Sequence, residues 1–203
     1  MRRENILYSA FKIALYCLFK IFFRYKVIGA EHIPASGGVI IAANHISLWD
    51  PPLIGASFNR SIHFMAKEEL FSNLIFKWVI TKLQSFPVRR GAPDRTAIRY
   101  AINLLKNGEV LGVFPEGTRS RTGELGKPEA GIAMIACKAR VPIVPAAIIG
   151  TNQVGKNGCI LPQFIVKFGE PILISDEKAD KEMMDNLSNT IMQAISGLLK
   201  EKG

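Results

Sequence analysis

The sequence predicts an α/β fold: a single layered domain with a mostly parallel or mixed central sheet flanked by helices, plus an N-terminal amphipathic membrane-associating helix. Three observations carry this. Short apolar runs rich in β-branched residues alternate with segments of helical period, which is the pattern of a sheet covered by crossover helices. No internal repeat, low-complexity tract or linker divides the chain. Its 203 residues suffice for one domain with a real core. The reading assigns residues 1–26 to the helix and 27–203 to the domain.

The first helix has an unusual charge pattern. Within residues 1–30, six bases (Arg2, Arg3, Lys12, Lys20, Arg24, Lys26) face Glu4 alone, so this segment holds +5 of the chain's +9. Lys12 and Lys20 interrupt the apolar stretch from Ile6 to Phe23. That makes it marginal for a span, which needs roughly 20 apolar residues. At helical spacing Asn5, Ser9, Lys12, Tyr16 and Lys20 share one face, and Ile6, Leu7, Phe11, Ala14, Leu15, Leu18 and Phe22 share the other. The pattern suits a helix lying in a membrane interface with snorkelling lysines. A true span and a helix packed on the domain's own core are the alternatives. No small-x-small site follows the apolar run, which argues against a cleaved signal peptide.

The remaining elements follow in order. GGVIIAAN (37–44) reads as a buried strand after a Gly-Gly turn. Asp50 precedes Pro51 and Pro52, so it is expected to be extended or to cap a helix over PPLIGASF. SIHFMAK is a strand, and EELFSNLIFKWVITKL a helix with Leu70, Phe71, Leu74, Ile75, Trp78 and Val79 along one side. SFPVRR is a short strand and loop. Asp94 caps RTAIRYAINLLKN, which stops at Gly108. EVLGVF is a strand leading into a long polar loop, IAMIACKAR a helix, VPIVPAAIIG a buried strand and FIVKFGEPI another strand. Ser175 is expected to cap a last helix reaching about Lys200, with Leu187, Ile191, Ile195 and Leu198 inward.

Composition narrows the function classes. Mean hydropathy is +0.17 and the pI is near 9.6, which suits an anionic partner such as a lipid surface, a phosphorylated substrate or nucleic acid. No helix-turn-helix, RNP or zinc-finger pattern supports nucleic acid. Cys17, Cys137 and Cys159 are odd in number and form no CxxC pair, so they read as reduced thiols without a zinc site.

Three motifs carry chemistry. In AANHISLWDPP, His45 and Asp50 stand five apart. On a continuous helix they would point about 140° apart, so they meet only if the segment turns. A carboxylate on one ring nitrogen fixes the tautomer and leaves the other nitrogen as a general base for an alcohol. No G-x-S-x-G elbow supplies a protein nucleophile, which leaves a substrate alcohol as one candidate for the group the base acts on. H-x4-D alone is equally a loop histidine near a capping aspartate. In FPEGTRSR, Gly117 lets backbone amides approach an anion, and Arg119 can grip phosphate in two-pronged fashion, aided by Thr118 or Ser120. Glu116 can hold Arg119 or bind a substrate hydroxyl. FPVRRG adds Arg89 and Arg90 at the end of an apolar run. Either stretch taken singly is also an ordinary solvated turn.

Together the motifs resemble the glycerolipid acyltransferase superfamily, and most closely its bacterial 1-acyl-sn-glycerol-3-phosphate acyltransferases. NHISLWD is similar to the family's N-H-x4-D block, FPVRRG to its second block, FPEGTRS to its third and VPIVPAAIIG to its fourth, in family order over roughly residues 25 to 175. In the second block Arg89 stands where the family often has an acid. The resemblance implies that His45 is the general base and Asp50 its orienting partner. It implies that Arg90, Glu116, Gly117, Thr118 and Arg119 bind the glycerol-phosphate end of the acceptor, and that Val141, Pro142 and Pro145 shape the site's wall or acyl pocket. The implied reaction moves a fatty acyl group from acyl-CoA or acyl carrier protein to the sn-2 hydroxyl of lysophosphatidic acid, with no metal or cofactor. The implied location is the cytoplasmic face of the cell membrane, held peripherally or monotopically on the phospholipid surface. Glycerol-3-phosphate or another lysophospholipid is the alternative acceptor. A lipid hydrolase and a non-catalytic membrane binder are the readings from other classes.

Overall fold

A computed structural model describes residues 6–89, 94–129, 131–156, 158–174 and 180–201. Elements run in the order α1 (Ile6–Phe22), β1 (Lys26–Ile28), β2 (Val39–Ala43), α2 (Asp50–Ala56), β3 (Ile62–Lys67), α3 (Leu74–Lys82), β4 (Ser85–Val88), α4 (Arg95–Lys106), β5 (Val110–Val113), α5 (Gly131–Ala139), β6 (Ile143–Ile149), β7 (Ile165–Phe168) and α6 (Lys181–Lys200). The strands form one sheet in the order β1-β7-β6-β2-β5-β3-β4. From β6 to β4 the pairing is parallel; β7 is antiparallel to β6 and parallel to β1. The sheet is therefore mixed, with helices on both faces, as the alternation of elements predicts.

β2 explains the layering. All five of its residues are buried. Val39, Ile41 and Ala43 join Leu53 and Ile54 of α2 and Phe19 of α1 on one face. Ile40 and Ala42 join Leu105 of α4, Ile135 of α5 and Ile191 and Ile195 of α6 on the other. A strand covered on both faces reads as an unbroken apolar run rather than an alternation. Each large side chain buried this way contributes roughly 1.5–3 kcal/mol. Because β2, β5 and β6 are parallel, their carboxyl ends open on the same edge of the sheet, where α/β folds build sites.

Several expectations change. Asp50 neither caps nor stays extended. It is the first residue of α2, and Trp49 holds the cap position without a side-chain bond. The reason is that the Asp50 carboxylate points back to the amides of Ile46 and Ser47 instead of forward into the helix. The long helix expected from residue 68 is a 3₁₀ turn over Glu68–Phe71 followed by α3. At the break, the Ser72 hydroxyl donates to the Glu69 carbonyl at 2.7 Å, a local bond that competes with the helix. The stripe through Leu74 and Trp78 is exposed. The last helix begins at Lys181, capped by Asp180, whose carboxylate accepts from the Met183 amide at 2.8 Å. Ser175 lies outside the described residues. β1 was not expected. Asp94 caps α4 as predicted, accepting from the amides of Thr96 and Ala97.

α1 departs from its expected polarity. Tyr8, Leu15 and Phe19 face the domain. The Lys12 ammonium donates to the carbonyls of Phe58 and Arg60, so this side of the helix is turned inward. Phe11, Leu18, Ile21 and Phe22 are exposed.

Candidate active site

The site starts where β2 ends. Ala43 pairs with Ala146 of β6. Beyond it, the Asn44 side chain replaces the next rungs: its amide donates to the Ile148 carbonyl at 3.0 Å and its oxygen accepts from the Ile148 amide at 2.7 Å. The backbone is then free to turn. Residues 46–49 fold back, and His45 Nδ1 comes to 2.9 Å from Asp50 Oδ2. A carboxylate only accepts, so the network assigns the ring proton to Nδ1 and leaves a lone pair on Nε2.

Asp50 is fully buried. Besides His45, Oδ2 accepts from the amides of Ile46 and Ser47, each at 2.7 Å, and Oδ1 accepts from the Thr151 hydroxyl at 2.6 Å. Four donors offset the cost of burying this carboxylate. The His45 ring stacks on Phe114 with centroids 4.0 Å apart, which sets its plane.

The loop after β5 closes against the same residue. The His45 amide donates to Glu116 Oε1 at 2.9 Å, and the His45 carbonyl accepts from the Ser120 amide at 2.7 Å. Glu116 Oε2 accepts from the Gly126 amide at 2.8 Å. Gly117 turns here with φ 66, and a Cβ on it would stand 3.0 Å from the Glu129 side chain. Glycine supplies both the left-handed backbone and the room.

Arg119 lies on the far side of this turn. With Ile46, Ser47, Leu48, Trp49, Thr151, Asn152, Val154 and Lys156 it lines a cavity of about 270 Å³ beside the His45–Asp50 turn. Neither Arg119 nor Lys156 has an acidic partner among the described residues. Thr118 is exposed on the same turn. Two unpaired cations and an amide around one cavity suit an anion.

The structure thus brings His45, Asp50, Glu116, Gly117, Thr118 and Arg119 to one edge of the sheet. Arg90 lies outside the described residues, and its neighbour Arg89 is bonded to Glu68 at 2.9 Å. Val141 and Pro142 do not join the site. They precede β6, whose far end carries Ile148 and Thr151, and Val141 is buried in the core against α4 and α5. Pro145 stands beside Gly169 and Leu198. The fourth block reaches the site through Ile148 and Gly150, at its far end, rather than through Val141, Pro142 or Pro145. Among the described residues no group of His, Cys, Asp or Glu is arranged to hold a metal. Sequence reasoning missed Asn44, Phe114, Thr151 and Lys156. The faint signal was position: each sits at or beyond the carboxyl end of a parallel strand.

The family model described as Acyltransferase matches residues 24–149. The 1-acyl-sn-glycerol-3-phosphate acyltransferase of Bacillus subtilis is 35% identical over 85% of this chain and 87% of its own length. The enzyme of the same name from Streptococcus pneumoniae is 36% identical over 80% of this chain and 61% of its own length. The crystal structure of the 1-acyl-sn-glycerophosphate (LPA) acyltransferase PlsC from Thermotoga maritima superimposes with a TM-score of 0.76 at 30% identity, covering 100% of this chain and 86% of that one. With the matched segment running from the start of β1 through the end of β6, and holding the His45–Asp50 turn, the chain belongs to the Acyltransferase family.

Proposed function

We propose that this chain is a 1-acyl-sn-glycerol-3-phosphate O-acyltransferase, moving a fatty acyl group from acyl-CoA or acyl carrier protein to the sn-2 hydroxyl of lysophosphatidic acid to give phosphatidic acid. The observation that carries the reading is the pairing of His45 Nδ1 with buried Asp50 at 2.9 Å, next to a cavity lined by Arg119 and Lys156. The named relatives support the choice of acceptor.

In this reading His45 Nε2 takes the proton of the sn-2 hydroxyl as the oxygen attacks the thioester carbonyl carbon. The tetrahedral oxyanion collapses, the C–S bond breaks, and the leaving sulfur recovers the proton from His45. Asp50 stabilises the imidazolium in between. Arg119 and Lys156 hold the acceptor phosphate, and Arg90 is assigned to the same task by resemblance. Gly117 and Thr118 form the turn that presents Arg119. Glu116 supports the site through its bonds to the His45 and Gly126 amides, holding the base and the phosphate loop together.

The acceptor is an amphiphile, so the protein works at a lipid surface. Among the described residues no helix is long and apolar enough to cross a membrane. The exposed stripe of Phe11, Leu18, Ile21 and Phe22 on α1, with Arg24 and Lys26 after it, suits a helix lying on anionic lipid at the cytoplasmic face.

The test follows free-thiol release from palmitoyl-CoA in detergent micelles with lysophosphatidic acid, glycerol-3-phosphate, lysophosphatidylcholine or no acceptor, and repeats it with acyl carrier protein as donor carrier. Release that requires lysophosphatidic acid, yields phosphatidic acid and vanishes in His45→Ala is the expected result. Equal release without acceptor means hydrolysis, and release unaffected by His45→Ala overturns the mechanism.

A further inference from the structure

Thr151 lies two residues past the segment matched by the family model, yet its side chain ends on the buried aspartate of the site. The turn that delivers it is tightly specified. Gly150 has φ 91, and a Cβ there would stand 2.0 Å from the Gln163 carbonyl oxygen. Only glycine fits, and the reversal drops Thr151 behind α2, where it is 1% exposed. Its Oγ1 donates to Asp50 Oδ1 at 2.6 Å.

The two carboxylate oxygens of Asp50 are served unequally. Oδ2 accepts from His45 and from the amides of Ile46 and Ser47. Oδ1 accepts from Thr151 and from no other group among the described residues. The terminal torsion of an aspartate is soft and roughly two-fold, so bonds crowded on one oxygen leave the plane of the group poorly fixed. A donor on the other oxygen fixes it. The same end of β6 also grips the residue before His45, through the paired bonds between Asn44 and Ile148. One strand end therefore bonds Asp50 directly and holds the residue before His45.

We infer that Thr151 is a positioning residue for acyl transfer: its hydroxyl locks the Asp50 carboxylate in the plane that keeps Oδ2 on His45 Nδ1–H and aims Nε2 at the acceptor alcohol. The inference rests on the proposed reaction only through the roles of His45 and Asp50. Thr151 acts through Asp50 and takes no proton.

Thr151→Val removes the hydroxyl and keeps the shape; Thr151→Ser keeps the hydroxyl and removes the methyl. Both are assayed with palmitoyl-CoA and lysophosphatidic acid, beside the parent enzyme and His45→Ala, with circular dichroism to confirm folding. Thr151→Val is expected to lower kcat roughly tenfold or more, with KM for lysophosphatidic acid changed less than about twofold, while Thr151→Ser stays within about threefold of the parent. Three results overturn the inference: an unchanged kcat in Thr151→Val, a loss confined to KM, or a Thr151→Ser variant as impaired as the valine variant. Should Thr151→Val fail to fold, the serine variant decides, because a folded Thr151→Ser with roughly tenfold lower kcat places the requirement in packing rather than in the hydroxyl. A His45→Ala variant as active as the parent sinks the His–Asp reading and this inference with it. A parent that depends on His45 but tolerates Thr151→Val sinks the inference alone.

Discussion

The turn from Asn44 to Asp50 and the cavity bearing Arg119 and Lys156 are neighbours built on opposite terms. In the turn, the polar groups proposed to do chemistry are already bonded. Asp50 has four donors, and the His45 backbone is tied at both its amide and its carbonyl. In the cavity, two cations stand exposed without acidic partners among the described residues. The contrast fits the two jobs proposed for them. A base must be preorganised before substrate arrives, since reorganisation during reaction raises the barrier. A phosphate site must keep its charges uncommitted, since an internal carboxylate would compete with the ligand. Variants of the bonded groups, Thr151 among them, should therefore change kcat, and variants of the two cations should change KM.

The largest effect tests the turn. His45→Ala is expected to lower kcat by roughly 10²–10⁴-fold with the fold retained, measured as thiol release alongside circular dichroism. Asp50→Asn is expected to fall in a similar range, because an amide can present a donor to Nδ1 and so favour the wrong tautomer.

Glu116→Gln sharpens the comparison. Both carboxylate oxygens face backbone N–H donors, so an amide NH₂ must oppose one of them. A loss of stability of roughly 1–3 kcal/mol and a lower kcat are expected, read by thermal melting and initial rates. A pure rise in KM would instead make Glu116 a ligand for the acceptor and blur the boundary between the two regions.

The cavity variants come next. Arg119→Ala is expected to raise KM for lysophosphatidic acid roughly tenfold to a hundredfold, and Lys156→Ala by less, with kcat within about threefold. Unchanged KM for acceptor with a raised KM for acyl-CoA would move the cavity's anion from the acceptor to the donor.

The smallest effect concerns the cap of α4. Asp94 accepts from the amides of Ala97, Arg89 and Thr96, and these bonds hold its carboxyl below its ordinary value of 3.8. A depressed folded value means the stabilisation is present above about pH 4 and fades as pH falls below it. Asp94→Ala should therefore lower Tm modestly at neutral pH, with the gap from the parent closing in acid.

Much of this was legible because local signals agreed with tertiary demand. β2 and β6 announced themselves as apolar β-branched runs, and Asp94 capped α4 where a cap was expected. The His45–Asp50 pairing was readable because the two prolines forbid a continuous helix between them. What was not legible depended on partners distant in sequence. β1 has three residues, and its pairing is with Ile165–Lys167, far along the chain. Lys12 looked like a solvent-facing charge, but the carbonyls of Phe58 and Arg60 receive it. Thr151 reaches Asp50 across 101 positions. No periodicity encodes such a contact.

Trp49 gives α1 a mechanical meaning. Its ring meets Phe19 and Phe23 at centroid distances of 6.1 and 6.0 Å, and Phe23 stacks on Phe164 at 4.2 Å. Trp49 is also the residue before Asp50. The helix proposed to rest on lipid thus touches the turn that carries Asp50 through Phe19, and Phe23, just past its end, adds a second ring contact. Removing residues 1–23 would strip the Phe19 and Phe23 rings against which Trp49 rests, and is expected to disturb the proposed His45–Asp50 base along with the proposed lipid contact.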